Sequence, residues 1–242
     1  MFYTPDIATS RFLSEEESQH AIKSLRLQAG SQIELVDGNG GFYMAEIVSP
    51  HAKRCEVRIL EKRVELQKRN GYIHLAIAPT KNIERFEWFV EKATEIGIDE
   101  ITPVICRFSE RKIVKRERLV KIAVSAMKQS LKAYLPKINE QCTFDELILR
   151  RKNIIQCHCF IAHCHDGREK KRLSSLSLSH PTAFVLIGPE GDFSPDEVEQ
   201  AVKSGFTSVS LGESRLRTET AGVVACHAMN LLCEKREIIS QV

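Results

Sequence analysis

The chain has 242 residues, 43% of them hydrophobic and 28% charged, with a formal net charge of +3. That is enough apolar material to core one large domain or two small ones, and too little charge for a polycation, so any contact with nucleic acid has to come from local clustering. No apolar run is long enough to span a bilayer and residues 1–13 hold no apolar stretch of a secretion signal, while the eight cysteines lack the spacing of a small secreted domain; the expected setting is the cytoplasm, with reduced and mostly buried thiols.

Ser14, with Glu17 three residues on, has the form of a capping box and opens a short helix over residues 15–27. Residues 33–36 and 42–48 are β-prone apolar runs around Asp37-Gly38-Asn39-Gly40-Gly41, which predicts a hairpin. Residues 55–60 alternate as a further strand does. The charged stretch through residues 61–71 then reads as a boundary, giving a first domain over 1–69 and a second over 70–242.

Beyond it the period changes. Residues 72–78, 101–106, 154–164, 183–187 and 207–211 are strand candidates. Helical spacing runs through 83–96, stopped by Gly97, and through 118–131, 196–203 and 219–234. Strands alternating with helices predict an α/β domain with a mostly parallel sheet. Residues 173–180 are rich in serine and read as a surface loop.

Two segments carry chemistry. In Ile187-Gly188-Pro189-Glu190-Gly191-Asp192-Phe193-Ser194-Pro195-Asp196-Glu197 an apolar strand ends in a loop, after which Ser194 is an N-cap, Pro195 stands at N1 and Glu197 at N3. Its glycines allow a ligand to approach the backbone closely, and loops at the carboxyl ends of parallel strands are where α/β proteins bind ligands. A plain strand-to-helix turn is the alternative. In Leu211-Gly212-Glu213-Ser214-Arg215-Leu216-Arg217-Thr218-Glu219-Thr220-Ala221 a polar loop enters an apolar helix. Thr218 and Thr220 are sufficient as caps, but capping does not explain Arg217 and Glu219 beside them.

GPEG-x-FS followed by LG-x-x-x-LRTETA resembles the C-terminal signature of the SPOUT-class RNA methyltransferases, and more narrowly that of the RsmE family, the 16S rRNA (uridine-N3)-methyltransferases. The resemblance extends over residues 1–233. It includes His20-x-x-Lys23-x-Leu25-Arg26-Leu27-x-x-Gly30, Asp37-Gly38-x-Gly40-Gly41, Lys92-Ala93-Thr94-Glu95-Ile96-Gly97 and Gln129-Ser130. Three positions depart from the family pattern: Asp192 where a glycine is usual, Ser31 for Asp, and Lys132 for Arg.

The resemblance implies a trefoil-knotted α/β domain with a smaller N-terminal PUA-like β-barrel that helps to bind RNA, assembled as a homodimer. It also implies S-adenosyl-L-methionine as cofactor and 16S rRNA of the small ribosomal subunit as substrate, methylated at N3 of one uridine. Carried onto this chain, the backbone of Ile187, Gly188, Gly191, Leu211 and Leu216 would hold the adenosine, with Pro189, Glu190, Gly212 and Ala221 completing the two loops. Arg217, Thr218 and Thr220 would shape the methyl-transfer end. Arg217, Glu190 and Glu219 form the catalytic set, the two glutamates being candidate bases that could equally order the loops.

Lys and Arg crowd mid-chain at Arg107, Arg111, Lys112, Lys115, Arg116, Arg118 and Lys121, followed by Lys128 and Lys132. With an RNA substrate, Arg107, Arg111, Lys112, Lys128 and Lys132 are read as phosphate contacts, joined by Lys23 and Arg26; a solvated helix face is the alternative. Cys157-His158-Cys159 and His163-Cys164-His165 hold metal-ligand residue types but no C-x-x-C pair, and no metal is expected. Other readings are a SPOUT enzyme acting on another RNA and a non-catalytic RNA-binding relative. A Rossmann-type enzyme is disfavoured, since no G-x-G-x-x-G and no P-loop occurs.

Overall fold

The turn at Asp37 shapes the N-terminal sheet. The Asp37 carboxylate accepts hydrogen bonds from the backbone of Asn39 at 2.7 Å and Gly41 at 2.9 Å and from the Tyr43 hydroxyl at 3.0 Å. Gly38 and Gly40 take left-handed φ of 80° and 97°, and a Cβ on Gly40 would lie 2.4 Å from both Cζ and the hydroxyl of Tyr134. The Asp-Gly-x-Gly-Gly motif is therefore accounted for by turn geometry and packing.

The strands it organises are β1 (Phe2–Tyr3), β2 (Gln32–Val36), β3 (Gly41–Ser49) and β4 (Glu56–Val64), in that spatial order, with β1 parallel to β2 and the others antiparallel. Residues 11–13 run beside the start of β4, Leu13 N–H on Cys55 O and Val57 N–H on Arg11 O, so the N-terminal segment reaches both edges of the sheet. Tyr43, Ala45 and Ile47 alternate into a core with Ile7, Leu13, Leu35 and Val57.

The helix expected over 15–27 is α1 (Glu15–Gln19) followed by one π turn, His20–Ser24, and Arg26 is left-handed at φ 54°. Its capping box is half made. Ser14 Oγ accepts from Glu17 N–H, but the Glu17 carboxylate turns away to Tyr3 N–H at 3.0 Å and Lys128 Nζ at 2.6 Å.

The computed structural model describes residues 1–64, 71–151, 156–165 and 169–240. By contact density one unit comprises residues 1–68 with 124–135, and the other 69–123 with 136–242. Along the rest of the chain β5 (Tyr72–Ile77), α2 (Ile83–Ile96), β6 (Glu100–Ile105), α3 (Arg116–Gln129, whose residues from Val124 on belong to the first unit), β7 (Lys137–Ile138), β8 (Cys142–Thr143), α4 (Phe144–Arg151) and β9 (His158–Ala162) follow one another. Then come β10 (Lys171–Arg172), β11 (Thr182–Ile187), α5 (Pro195–Lys203), β12 (Thr207–Ser210) and α6 (Thr218–Ser240). The sheet order is β10-β12-β9-β11-β5-β6-β7, with β8 also on β6, and every pairing is parallel.

Such a sheet needs both faces covered, and so β11 is an unbroken apolar run, Ala183 to Ile187 all buried. One face packs Ala76, Ile161, Phe184 and Leu186 against Leu147, Val198 and Ala201 of α4 and α5. On the other, Gly222 of α6 lets the helix approach so closely that a Cβ there would lie 2.6 Å from the Phe89 ring and 2.7 Å from Ile77. No periodic signal marked β7, β8 or α4. The serine-rich segment is no simple surface loop, since it includes a 3-10 turn, Leu173–Ser175, and buries Leu173 and Leu178.

At the amino-terminal end of β5 and β6 lies a buried polar cluster. His74 Nε2 meets Thr102 Oγ1 at 2.7 Å, and Asn139, Tyr72 and Lys137 all donate to the Glu100 carboxylate. Burial pushes the His74 pKa down to about 4, outweighing the Glu100 charge nearby. Burial alone would raise Glu100, but His74 and the three donors hold it at about 2. The unfolded chain takes up a proton at His74 near pH 6.5 that the folded chain refuses until about pH 4, so stability falls as pH drops through that window, and the Glu100 contribution is lost in its turn as pH falls from about 4.5 to about 2. His74→Phe, which can keep the stack on Phe184, should flatten the fall in urea-unfolding free energy between pH 6.5 and 4.

Candidate active site at the carboxyl edge of the parallel sheet

Neighbouring strands β12, β9 and β11 end at one edge, and the loops that follow them enclose a cleft of about 650 Å³. Thr218 Oγ1, at the start of α6, donates to Gly188 O at 3.1 Å, joining the loop after β12 to the loop after β11. Glu190 Oε1 accepts from Lys81 N–H at 2.9 Å and so fastens the loop after β5 as well. Lys170 Nζ donates to His165 O and His163 O, holding the third wall.

Asp192, where the resemblance expects glycine, has φ 62°. That left-handed backbone explains why glycine suits the position. Asp tolerates it because its carboxylate is put to use: Oδ1 accepts from Phe193 N–H at 2.8 Å and Oδ2 from Cys164 N–H at 2.7 Å, tying the β9 loop to the β11 loop. His165 Nε2 donates to Phe193 O at 2.6 Å and lies 4.0 Å from Asp192 Oδ2.

Of the residues expected to hold the cofactor, Ile187, Gly188, Pro189, Glu190, Leu211, Gly212, Leu216, Arg217, Thr218 and Ala221 all line this cleft. Gly191, Thr220 and Glu219 do not. Gly191 faces Phe108 instead, at 3.0 Å from where its own Cβ would be to that of Phe108. Thr220 is half-buried in the first turn of α6. Glu219 is buried, with Oε1 3.9 Å from Arg85 Nε. His163, Cys164, Lys170, Asp192 and Ser210 line the cleft without having been singled out for it. The signal for them would have been the place of β9 between β11 and β12, which strand spacing does not disclose.

The basic residues fall into two groups. Lys23, Arg26, Lys128 and Lys132 belong to the first unit and Arg107, Arg111 and Lys112 to the second. Several are occupied within the fold: Lys128 by Glu17, and Arg111 by the carbonyls of Thr80 and Lys81. Arg116 binds Ile138 O, and Arg118 pairs with Glu87. Lys23, Arg26, Arg107 and Lys112 stand exposed, as do Lys115 and Lys121.

Of the metal-ligand types, His158 Nε2 accepts from Ser179 and His180 N–H, and His163 Nε2 meets Ser208 Oγ at 3.1 Å. Cys157 and Cys159 lie with Sγ atoms 3.8 Å apart. No helix of the described residues is long and apolar enough to cross a membrane.

The family model for an RNA methyltransferase domain matches residues 67–230 and that for an RNA methyltransferase PUA domain residues 13–60. The fold is thus that of an RNA methyltransferase. The ribosomal RNA small subunit methyltransferase E of Rickettsia conorii is 30% identical over 229 residues, 92% of this chain and 91% of that one. The probable rRNA-methyltransferase of Porphyromonas gingivalis superposes with a TM-score of 0.89 at 43% identity, covering 97% of this chain and 98% of that one. The ribosomal RNA small subunit methyltransferase E of Neisseria gonorrhoeae, bound to S-adenosyl methionine, does so with 0.80 at 28% identity, covering 96% of each. The chain belongs to the ribosomal RNA small subunit methyltransferase E family.

Proposed function

We propose that this chain methylates 16S rRNA of the small ribosomal subunit at N3 of one uridine, with S-adenosylmethionine as donor. The observation that carries the reading is the cleft itself: ten residues of the two C-terminal motifs converge on it from loops after adjacent parallel strands. Its volume lies within the ~300–1,000 Å³ of small-ligand sites. Its walls mix apolar and polar residues, which suits a nucleoside. When bound, the cofactor would supply a methyl carbon made electrophilic by its sulfonium, with the neutral thioether sulfur as the leaving group.

The chain's own task is to position the two reactants and favour the uridine anion. The backbone at Ile187, Gly188, Leu211 and Leu216 holds the adenosine, with Pro189, Gly212 and Ala221 beside it. Arg217, exposed at the cleft, lowers the cost of negative charge on the pyrimidine. Glu190 orders the β5 loop, as its bond to Lys81 indicates, and Glu219 anchors the start of α6 against Arg85. Thr220 and Gly191 support the loops from behind. The N-terminal unit, with Lys23 and Arg26, contacts RNA. The chain acts in the cytoplasm as a homodimer, and its C-terminal segments thread a knot.

The test is methylation of small subunits from cells lacking this protein, using labelled cofactor and nucleoside analysis. One new N3-methyluridine is expected. Cofactor binding with no methylation of any ribosomal substrate would overturn the assignment and favour another RNA or a non-catalytic role.

A further inference from the structure

Phe108 sits on a loop that is fixed at every turn yet presents its ring to solvent. After β6, Ser109 Oγ accepts from Cys106 N–H at 2.9 Å, and Glu197 Oε1 accepts from Arg107 N–H at 2.8 Å. The Arg111 guanidinium grips the carbonyls of Thr80 and Lys81. Gln141 takes Val114 N–H at 2.7 Å and gives to Lys112 O at 2.8 Å. Loops that only connect elements rarely carry so many anchors. Within this frame Phe108 is 47% exposed and Ile113 75%.

Its position gives the exposed ring a purpose. β6 runs parallel to β5 and β11, so its loop lies at the same sheet edge as the cofactor cleft. Phe108 Cβ packs on Gly191, the residue between Glu190 and Asp192, both of which line the cleft. A Cβ at Gly191 would lie 3.0 Å from the Phe108 Cβ, so that one of the two would have to give slightly. In the same loop Arg107, Lys112 and Lys115 are exposed, Arg107 lying 3.6 Å from the Asp196 carboxylate. An aromatic face on a cation-bearing loop, held by these bonds and adjoining a methyl-donor cleft, is matched to an unpaired nucleobase with its phosphates.

We propose that Phe108 is the stacking platform for the target pyrimidine, turned out of its strand so that its Watson–Crick edge faces the cleft. This rests on the proposed function, since N3 of uridine is reachable only when the base is unpaired. A base–aromatic stack of ordinary strength sets the expected effect: Phe108→Ala should raise the KM for undermethylated small subunits by about 5- to 150-fold. Cofactor affinity, measured by calorimetry without RNA, stays unchanged, and Phe108→Trp or Phe108→Tyr restores the KM.

A direct readout uses the double variant Trp88→Phe, Phe108→Trp, because Trp88 is the chain's single tryptophan. Its fluorescence should be quenched by an unpaired uridine-containing oligonucleotide and not by a perfect duplex of equal length. An active wild type together with an unaltered KM in Phe108→Ala overturns the platform and leaves the proposed function standing. Loss of self-association in Phe108→Ala by sedimentation, with the KM unmoved, overturns it too and assigns the ring to an interface between copies. Should the wild type methylate no ribosomal RNA, the proposed function fails, and the oligonucleotide quench still decides the platform: quenching supports it and its absence overturns it.

Discussion

Arg217→Met should lower turnover about 10²- to 10³-fold, the loss that follows removal of one preorganised group stabilising developing anionic charge. Uridine N3 is a weak acid and a good nucleophile only as its anion, so a cation at the cleft acts on the reactive form. Lys170, Arg215 and Arg217 are the cations of the described residues that line the cleft. Lys170 already donates to the carbonyls of His163 and His165. Arg217 is exposed, and no carboxylate among the described residues forms an ion pair with it. It immediately precedes Thr218, whose bond to Gly188 O fixes the backbone from which it projects.

The pH–rate profile separates this role from a merely structural one. A guanidinium that favours the anion lowers the apparent pKa of the substrate, so its loss should shift the rising limb of the profile to higher pH, and Arg217→Lys should recover part of the shift. A variant with unchanged turnover and a raised KM for cofactor would show instead that Arg217 binds the donor and takes no part in the chemistry.

How far these roles could be read in advance differs from residue to residue. Ser194, Pro195 and Glu197 announced the start of α5 because capping is local: the three act within one turn, and the structure has the complete box. The same kind of pattern at Ser14 and Glu17 was only half realised, because Tyr3 N–H and Lys128 Nζ compete for the second carboxylate. Partners brought by tertiary folding are invisible in a short motif. The mid-chain basic run illustrates this. Arg111 is read as a phosphate contact in the chain, and the fold also gives its guanidinium the carbonyls of Thr80 and Lys81, while Arg116 and Arg118 of the same run meet a carbonyl and a carboxylate.

The two motif loops were legible because each follows an apolar run and ends in a helix cap. The third wall of the cleft was not, since it depends on β9 lying between β11 and β12. Nor was the consequence of Asp192 open to sequence reasoning. In the sequence it is only a departure from the family's glycine, whereas in the fold its carboxylate satisfies two backbone N–H groups and joins two walls.

Glu197→Ala should destabilise the protein by roughly 2–5 kcal/mol, because it orphans two backbone donors at once and each unsatisfied buried donor costs about 1–3 kcal/mol. Oε2 accepts from Ser194 N–H at 2.7 Å, closing the capping box of α5, and Oε1 accepts from Arg107 N–H at 2.8 Å in the loop after β6. The residue is 8% exposed, so water cannot readily replace the lost oxygens. Glu197→Gln keeps one acceptor but turns the other into a donor facing an N–H, and should lose a large part of the same stability. Urea unfolding monitored by far-UV circular dichroism measures both; a Glu197→Ala midpoint equal to wild type would show that neither bond contributes. One buried carboxylate thus joins the first turn of the helix after the cofactor loop to the loop that carries Phe108. Because the bond to Arg107 also fixes that ring, a surviving Glu197→Ala enzyme should show a raised KM for RNA with its cofactor affinity less affected, a pattern that loss of helix capping alone would not produce.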